Sequence, residues 1–262
     1  MQSAMNHTSL PGTRPEGSRD EREAAVRVRD MFTRIAPRYD FLNHLLSLSL
    51  DRVWRRRTAR RFLHILRRPD ARVLDLCCGT GDLAFALDRA RAGALAAPEG
   101  RAPIVGGDFV EAMLVRAAEK SRRARHAAGF AAADALHLPF PDGSFDLVTT
   151  AFGFRNLANY EEGLREFARV LKSGGEIGIL EFTEPDSGAL GGIFRFYFRH
   201  ILPRIGAAVS GNKDAYEYLP ASVRKFPSPP ALAALMEKTG FADVRIASWN
   251  FGSVILHTAR RE

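Results

Sequence analysis

The stretch Val73-Leu-Asp-Leu-Cys-Cys-Gly-Thr-Gly-Asp82 constrains this chain more than any other. Val73, Leu74 and Leu76 form a short apolar run, bounded by a turn that holds Gly79 and Gly81. Helix-forming residues follow from Asp82 to about Ala90. A buried strand feeding a glycine turn that opens a helix is the first half of a β-α-β unit. Glycines in such a turn let the backbone bend sharply and come close to a ligand.

The rest of the chain repeats this alternation. Strands are expected at Arg72–Leu76, Ile104–Gly107, Phe130–Ala133, Phe145–Thr150 and Glu176–Phe182. Helices are expected at Asp82–Ala90, Glu111–Arg125, Tyr160–Leu171 and Pro230–Thr239, with a break at Lys172-Ser-Gly-Gly175. The pattern predicts an α/β fold, with a mainly parallel sheet covered by helices on both faces. Val244–Ser248 and Val254–Thr258, joined by a short turn, predict an antiparallel hairpin at the end. Residues 21–35 and 51–67 read as Arg-rich amphipathic helices, with 36–43 between them broken by Pro37. Residues 1–20 are polar and contain Pro, Gly and Ser, and are expected to form a disordered tail. Residues 21–262 are expected to form one domain, with a helical lid at 21–69 and a substrate-side insertion at 187–228.

Charge is unevenly placed. The net charge is +8, and residues 1–69, with 15 Arg against 7 acidic residues, account for all of it. Such an excess suits either a solvated helix face or a phosphate-rich partner, nucleic acid or an anionic membrane. The two cysteines, Cys77 and Cys78, are adjacent, which suits no unstrained disulfide, and nothing has metal-ligand spacing. This fits a reducing, cytoplasmic setting, and no run of residues is apolar and long enough to span a bilayer.

The glycine turn by itself admits two ligands. Gly79-Thr-Gly-Asp-Leu-Ala84 satisfies the dinucleotide pattern G-x-G-x-x-A. A pyrophosphate on this helix start would, however, face Asp82 and Asp75. A cationic sulfonium with an α-amino group suits those carboxylates, so S-adenosylmethionine is favoured over NAD, with Asp75, Gly79, Thr80 and Gly81 around it. Asp108 ends the second strand, where a carboxylate can take both ribose hydroxyls or cap the next helix. Asp134-Ala135 follows the third strand, where an adenine edge would lie; capping a turn is the alternative for Asp134.

Several stretches together resemble the ubiquinone/menaquinone biosynthesis C-methyltransferases. They are Phe32-Thr-Arg-Ile-Ala-Pro-Arg-Tyr-Asp-Phe-Leu-Asn43 with Trp54, Leu74–Asp82, Ala133–Phe140 with Ser144-Phe-Asp146, and Phe152-Gly-Phe-Arg-Asn156. Arg169–Gly175 with Leu180-Glu-Phe182, and Tyr216-Glu-Tyr-Leu-Pro-Ala-Ser222 with Phe226-Pro227, complete the set. The resemblance implies the class I S-adenosylmethionine-dependent methyltransferase (Rossmann-like) fold, a seven-stranded sheet with a helical N-terminal lid. It places Thr80, Asp108, Asp134 and Ala135 at cofactor positions. At a further cofactor position the family often has Ser, and here Ala151 stands there without a hydroxyl. The family also has a Gly and a His where this chain has Leu48-Ser-Leu50 and Asp51, and often a small residue at Cys77 or Cys78.

The implied reaction is methylation of a ring carbon on a prenylated quinol, with demethylmenaquinol favoured over the ubiquinone precursor. Arg155 is the candidate for lowering the quinol pKa through a water oriented by Asn156, with Tyr39 joining from the lid and Asp40 tethering it. A structural salt bridge is the alternative role for Arg155, and core packing for Tyr39. His137, between two leucines, reads as a packing or solvent residue. Segment 189–209, apolar and aromatic with interspersed Arg, suits a tail tunnel, a lipid contact or a core helix. Peripheral contact with an anionic membrane is expected, and a homodimer is left open. Nucleic acid is not expected as a partner: the Asn/Asp-Pro-Pro-aromatic motif and a Pro-Cys nucleophile are both absent.

Overall fold

The computed structural model describes residues 12–14, 17–96, 100–184, 192 and 213–262. Its centre is a seven-stranded sheet of β1 (Val73–Leu76), β2 (Ile104–Asp108), β3 (Ala128–Ala132), β4 (Phe145–Ala151), β5 (Leu171–Phe182), β6 (Phe241–Trp249) and β7 (Val254–Arg261). The strand order is β3-β2-β1-β4-β5-β7-β6. Pairing is parallel from β3 through β5, and β7 runs antiparallel to both β5 and β6. The expected terminal hairpin is present, but its second strand is the inner one.

Alternation along each strand builds the two layers. Leu74, Leu76, Val148, Ile177 and Ile179 pack with residues of α7 (Tyr160–Val170) and of α9 (Pro229–Lys238). Val73, Leu147 and Ile104 pack on the opposite face against α5 (Asp82–Ala94) and α4 (Leu63–Leu66). Helix α6 (Glu111–Ala124) lies along β2 and β3, and α8 (Lys213–Lys225) precedes α9. Asn159 caps α7 by accepting from the Glu162 N–H at 3.1 Å.

The N-terminal region is α1 (Glu21–Ile35), a 3-10 turn at Ala36–Arg38, α2 (Tyr39–Leu46) and α3 (Leu50–Arg61). Pro37 does not end the helical path. It sits in the first turn of a 3-10 segment, where its missing N–H has no partner to lose, and α2 follows. The expected helix at 51–67 is divided at Phe62 into α3 and α4. The range 21–69, expected as a lid, includes core residues. Ala59, Phe62 and Leu66 are completely buried with Val73 and Leu87, so the end of α3 and all of α4 belong to the core. Trp54 fastens α3 to the sheet end through Phe152, Leu180 and Leu256, and its indole N–H donates to Asn250 Oδ1 at 2.9 Å.

Two further expectations change. Gly12–Arg14, assigned to a disordered tail, lie against the domain: the Thr13 N–H donates to the Leu157 carbonyl at 3.0 Å, and a Cβ on Gly12 would fall 2.2 Å from the Ala158 backbone. The break at 172–175 is a bulge inside β5, since Phe145 pairs with Leu171 and Leu147 with Glu176. Segment 189–209 lies outside the described residues apart from Gly192. No helix of the described residues is long and apolar enough to cross a membrane.

Candidate active site

The strand order reverses direction between β1 and β4, and the carboxyl ends of those strands open a cleft there. Tyr39, Arg55, Asp75, Cys77, Cys78, Gly79, Thr80, Asp82, Leu83 and Ala151 line it. The local backbone explains the glycines. Gly79 and Gly81 have φ of +53° and +89°, and a Cβ on Gly81 would meet the Phe85 ring at 2.9 Å. Gly106, on β2, leaves room for Phe130, whose ring would lie 2.6 Å from a Cβ there.

Asp75 is the most perturbed acid of the cleft. It is buried, its Oδ1 accepts from the Thr149 hydroxyl at 2.9 Å, and its Oδ2 is buried with no partner among the described residues. Burial pushes its pKa up to about 7, with hydrogen bonds and the Arg55 charge opposing the rise. Burial also pushes both Cys77 and Cys78 thiols well up, so neither is an activated nucleophile.

Asp108 lies behind the glycine turn and does not line the cleft. Its Oδ2 accepts from the Gly79 N–H at 2.8 Å and its Oδ1 from the Val110 N–H at 2.9 Å. Asp108 therefore closes a tight turn ahead of α6 and does not cap it, since Val110 holds the N-cap position without a side-chain bond, and each Asp108 oxygen retains a second lone pair. Burial raises its pKa despite those bonds. Asp134 stands apart from the cleft with its side chain 57% exposed, accepting from the Leu136 N–H at 3.0 Å, while Ala135 is buried in the core. His137 is exposed beside Asp134.

Helices α2 and α3 meet this turn through charges. The Thr80 hydroxyl donates to Asp40 Oδ1. The Lys120 ammonium, from α6, lies 2.8 Å from Asp40, 2.7 Å from Asp82 and 3.2 Å from the Thr80 hydroxyl. Arg55 bonds Asp51 and comes within 4.0 Å of Asp82. His44, Asp51 and Asp82 converge closely enough to suggest a metal cluster, but Arg55 already supplies a fixed cation among them. Tyr39 packs with Phe32 and the α6 residues Met113 and Ala112, and its ring lies 3.7 Å from where a Gly79 Cβ would stand. Burial raises its phenol pKa, opposed by a hydrogen bond with Asn43 and by Arg155 and Arg55.

Arg155 sits in a 3-10 turn, Phe154–Asn156, just past β4. It is buried against Glu181, the next-to-last residue of β5: Nη1 lies 2.8 Å from Glu181 Oε1, and its own N–H donates to Oε2 at 3.1 Å. Nη1 also donates to the Phe152 carbonyl, and Nε to the Ser222 hydroxyl at 3.3 Å. The salt bridge considered from sequence is thus present. Tyr39 and Tyr218 both lie near enough for their charge states to couple to this guanidinium. Asn156 Oδ1 and the Tyr218 hydroxyl are buried without a hydrogen-bond partner among the described residues. Sequence reading missed Arg55, Lys120, Glu181, Tyr218 and Ser222 as site residues. Glu181, Tyr218 and Ser222 lie in stretches that carry the family resemblance, whereas Arg55 and Lys120 had no such signal.

Comparison with known proteins places the chain. The model of the ubiE/COQ5 methyltransferase family matches residues 18–261. The chain belongs to this family. A demethylmenaquinone methyltransferase of Deinococcus radiodurans is 49% identical over 89% of this chain and 92% of its own length. One of Thermus thermophilus is 47% identical over 88% of this chain and 100% of its own length. The ubiquinone/menaquinone biosynthesis C-methyltransferase UbiE of Geobacter sulfurreducens is 42% identical over 91% and 90%. Among solved structures, a SAM-dependent methyltransferase of Thermotoga maritima, a possible histamine N-methyltransferase, has a TM-score of 0.58 at 17% identity, covering 89% of this chain and 99% of its own. That likeness concerns the fold, which is the class I methyltransferase architecture.

Proposed function

We propose that this methyltransferase uses S-adenosylmethionine to methylate a ring carbon of a prenylated quinol, with demethylmenaquinol as its substrate. The observation that carries the cofactor reading is Asp75, a buried carboxyl at the glycine turn with one oxygen unpartnered among the described residues, beside Asp82 and in front of Asp108. Lys120 and Arg55 already compensate Asp82, so it is the open carboxyl of Asp75 that suits a cation and opposes a pyrophosphate. Demethylmenaquinol is favoured because the two relatives named for demethylmenaquinone are 49% and 47% identical.

The cofactor, when bound, supplies an electrophilic methyl group on a sulfonium. Asp75 would hold its amino group, Gly79–Gly81 would border it, and Asp108 would take ribose hydroxyls on the lone pairs its backbone bonds leave free. Ala151 lines the cleft without a hydroxyl and contributes shape alone.

The residues of this chain must make a ring carbon nucleophilic. Removing a quinol hydroxyl proton does so, since the oxyanion delocalises onto the ring. Arg155 is a fixed cation and a poor base, so its part is to lower the pKa of that hydroxyl. Glu181 holds the guanidinium in place. Asn156 Oδ1, buried without a partner among the described residues, is suited to orient a water that accepts the proton, and Tyr39 lines the neighbouring cleft from α2. The setting we infer is cytoplasmic, with peripheral contact at an anionic membrane.

The deciding experiment supplies labelled S-adenosylmethionine with demethylmenaquinol and, separately, with a 2-polyprenyl-6-methoxy-benzoquinol. Label in the first product is the expected result. Label in the second alone would move the substrate to the ubiquinone branch. Tight S-adenosylhomocysteine binding with label in neither would end the quinol reading.

A further inference from the structure

The hairpin made by α2 and α3 has two faces of opposite chemistry. Its inner face closes the cleft with Tyr39, Asp40, Asp51 and Arg55. Its outer face exposes Phe41, Leu45, Leu48, Leu50 and Val53. These are five of the nine large apolar side chains exposed among the described residues, and they fall within thirteen consecutive positions. Phe41 and Leu45, four residues apart, lie on one side of α2, and Leu48 stands in the turn that follows it. Phe41 is 60% exposed and Leu48 is 76% exposed, values that leave both side chains to solvent or to a partner.

Charge surrounds this patch. Residues 39–61 hold six arginines and two aspartates, and both aspartates turn inward to Lys120, Thr80, His44 and Arg55. Arg52, Arg56, Arg60 and Arg61 are exposed and have no carboxylate partner among the described residues. The outer face is therefore apolar at its apex and uncompensated in positive charge along α3. A bilayer with anionic headgroups complements both halves, taking leucine and phenylalanine at the acyl boundary and guanidinium groups at the phosphates. A nucleic acid complements only the second half.

We propose that the α2–α3 hairpin is the edge by which this protein docks on an anionic lipid bilayer, Leu48 and Phe41 entering the interface. The hairpin's inner face is the wall of the cleft, so docking there sets the cleft mouth at the surface where a polyprenylated quinol resides; that last consequence rests on the proposed substrate.

The test uses the full chain with phosphatidylglycerol vesicles and with phosphatidylcholine vesicles, read by co-sedimentation without quinol. Wild type is expected on phosphatidylglycerol at low salt and largely off it at high salt. Phe41→Asp with Leu48→Asp, and separately Arg52→Gln with Arg56→Gln and Arg60→Gln, should each weaken binding by about tenfold or more. S-adenosylhomocysteine affinity should stay unchanged in both, which shows that the variants fold. No wild-type binding, or binding indifferent to the Phe41/Leu48 pair, would overturn the proposal. So would duplex DNA binding with the same arginine dependence and no effect of that pair. Because the vesicles hold no quinol, failure of the substrate reading leaves this result standing. Conversely, methylation of detergent-dispersed quinol by a protein that ignores vesicles would leave the substrate reading standing.

Discussion

The Lys120 ammonium lies 2.8 Å from Asp40 and 2.7 Å from Asp82, so one side chain of α6 ties α2 to the first residue of α5. Its side chain is 32% exposed, which screens the pairs and limits their worth to about 1 kcal/mol. Lys120→Met leaves Asp40 and Asp82 facing each other without the shared cation. The expected outcome is faster proteolysis within 36–50 and S-adenosylhomocysteine binding weakened about fivefold. An unchanged cleavage rate would show that the apolar contacts of Tyr39 hold α2 by themselves.

Asp75 gives the protein a pH signature. Its folded pKa is raised from an ordinary 3.8 to about 7 by burial. Between those values the folded chain holds a proton that the unfolded chain has lost, so its contribution favours folding below about pH 4 and is lost as pH rises to about 7. Binding has the opposite slope, because a cationic amino group needs the carboxylate. S-adenosylhomocysteine affinity should rise by up to about tenfold per unit from pH 6 to 7 and then level off. In Asp75→Asn it should be weaker and flat across that range, as calorimetric titration would show.

The Arg155–Glu181 pair must be broken with care. Glu181→Gln leaves a buried guanidinium without its counter-charge, a change that costs about 3–5 kcal/mol. For a chain of this size the melting temperature should fall by roughly 6–20 °C. Arg155→Met with Glu181→Gln removes both charges and should recover most of that loss. If Arg155 acts on the quinol, turnover in the double variant stays down by orders of magnitude with S-adenosylhomocysteine affinity intact. Recovery of turnover along with stability would reduce Arg155 to a structural partner.

Ser49 has a left-handed φ of +60°, as does Leu48 beside it at +51°. A side chain in that region costs about 1–2 kcal/mol. Ser49→Gly should therefore raise the melting temperature by roughly 2–6 °C in a thermal scan, with no change in turnover. A drop would mean that the Ser49 side chain has a favourable role at this turn.

Much of the fold was legible because its signals are local. Strand β1, the glycine turn and α5 lie within 22 residues, and apolar spacing with two glycines specifies them. Helix α2 was missed because Pro37 reads as a break, yet a proline at the start of a helical turn loses no hydrogen bond. The bulge at 172–175 was read as an interruption because Gly174 and Gly175 signal a turn, while pairing on both sides keeps β5 continuous. Asp75, Gly79, Thr80 and Ala151 do meet in the cleft, but Asp108 is turned to backbone N–H groups and Asp134 to its own turn.

The sequence by itself determined the alternation of strands and helices, the bend at Gly79–Gly81 and the carboxylates around it, since each depends on neighbours along the chain. Only the tertiary structure decided that β7 enters between β5 and β6, that Lys120 reaches Asp40 across 80 positions, and that Glu181 rather than solvent meets Arg155. The reason is physical. Periodicity states which face of an element is apolar, but Coulomb and packing energies depend on distance in space, and that distance is set only when the layers come together.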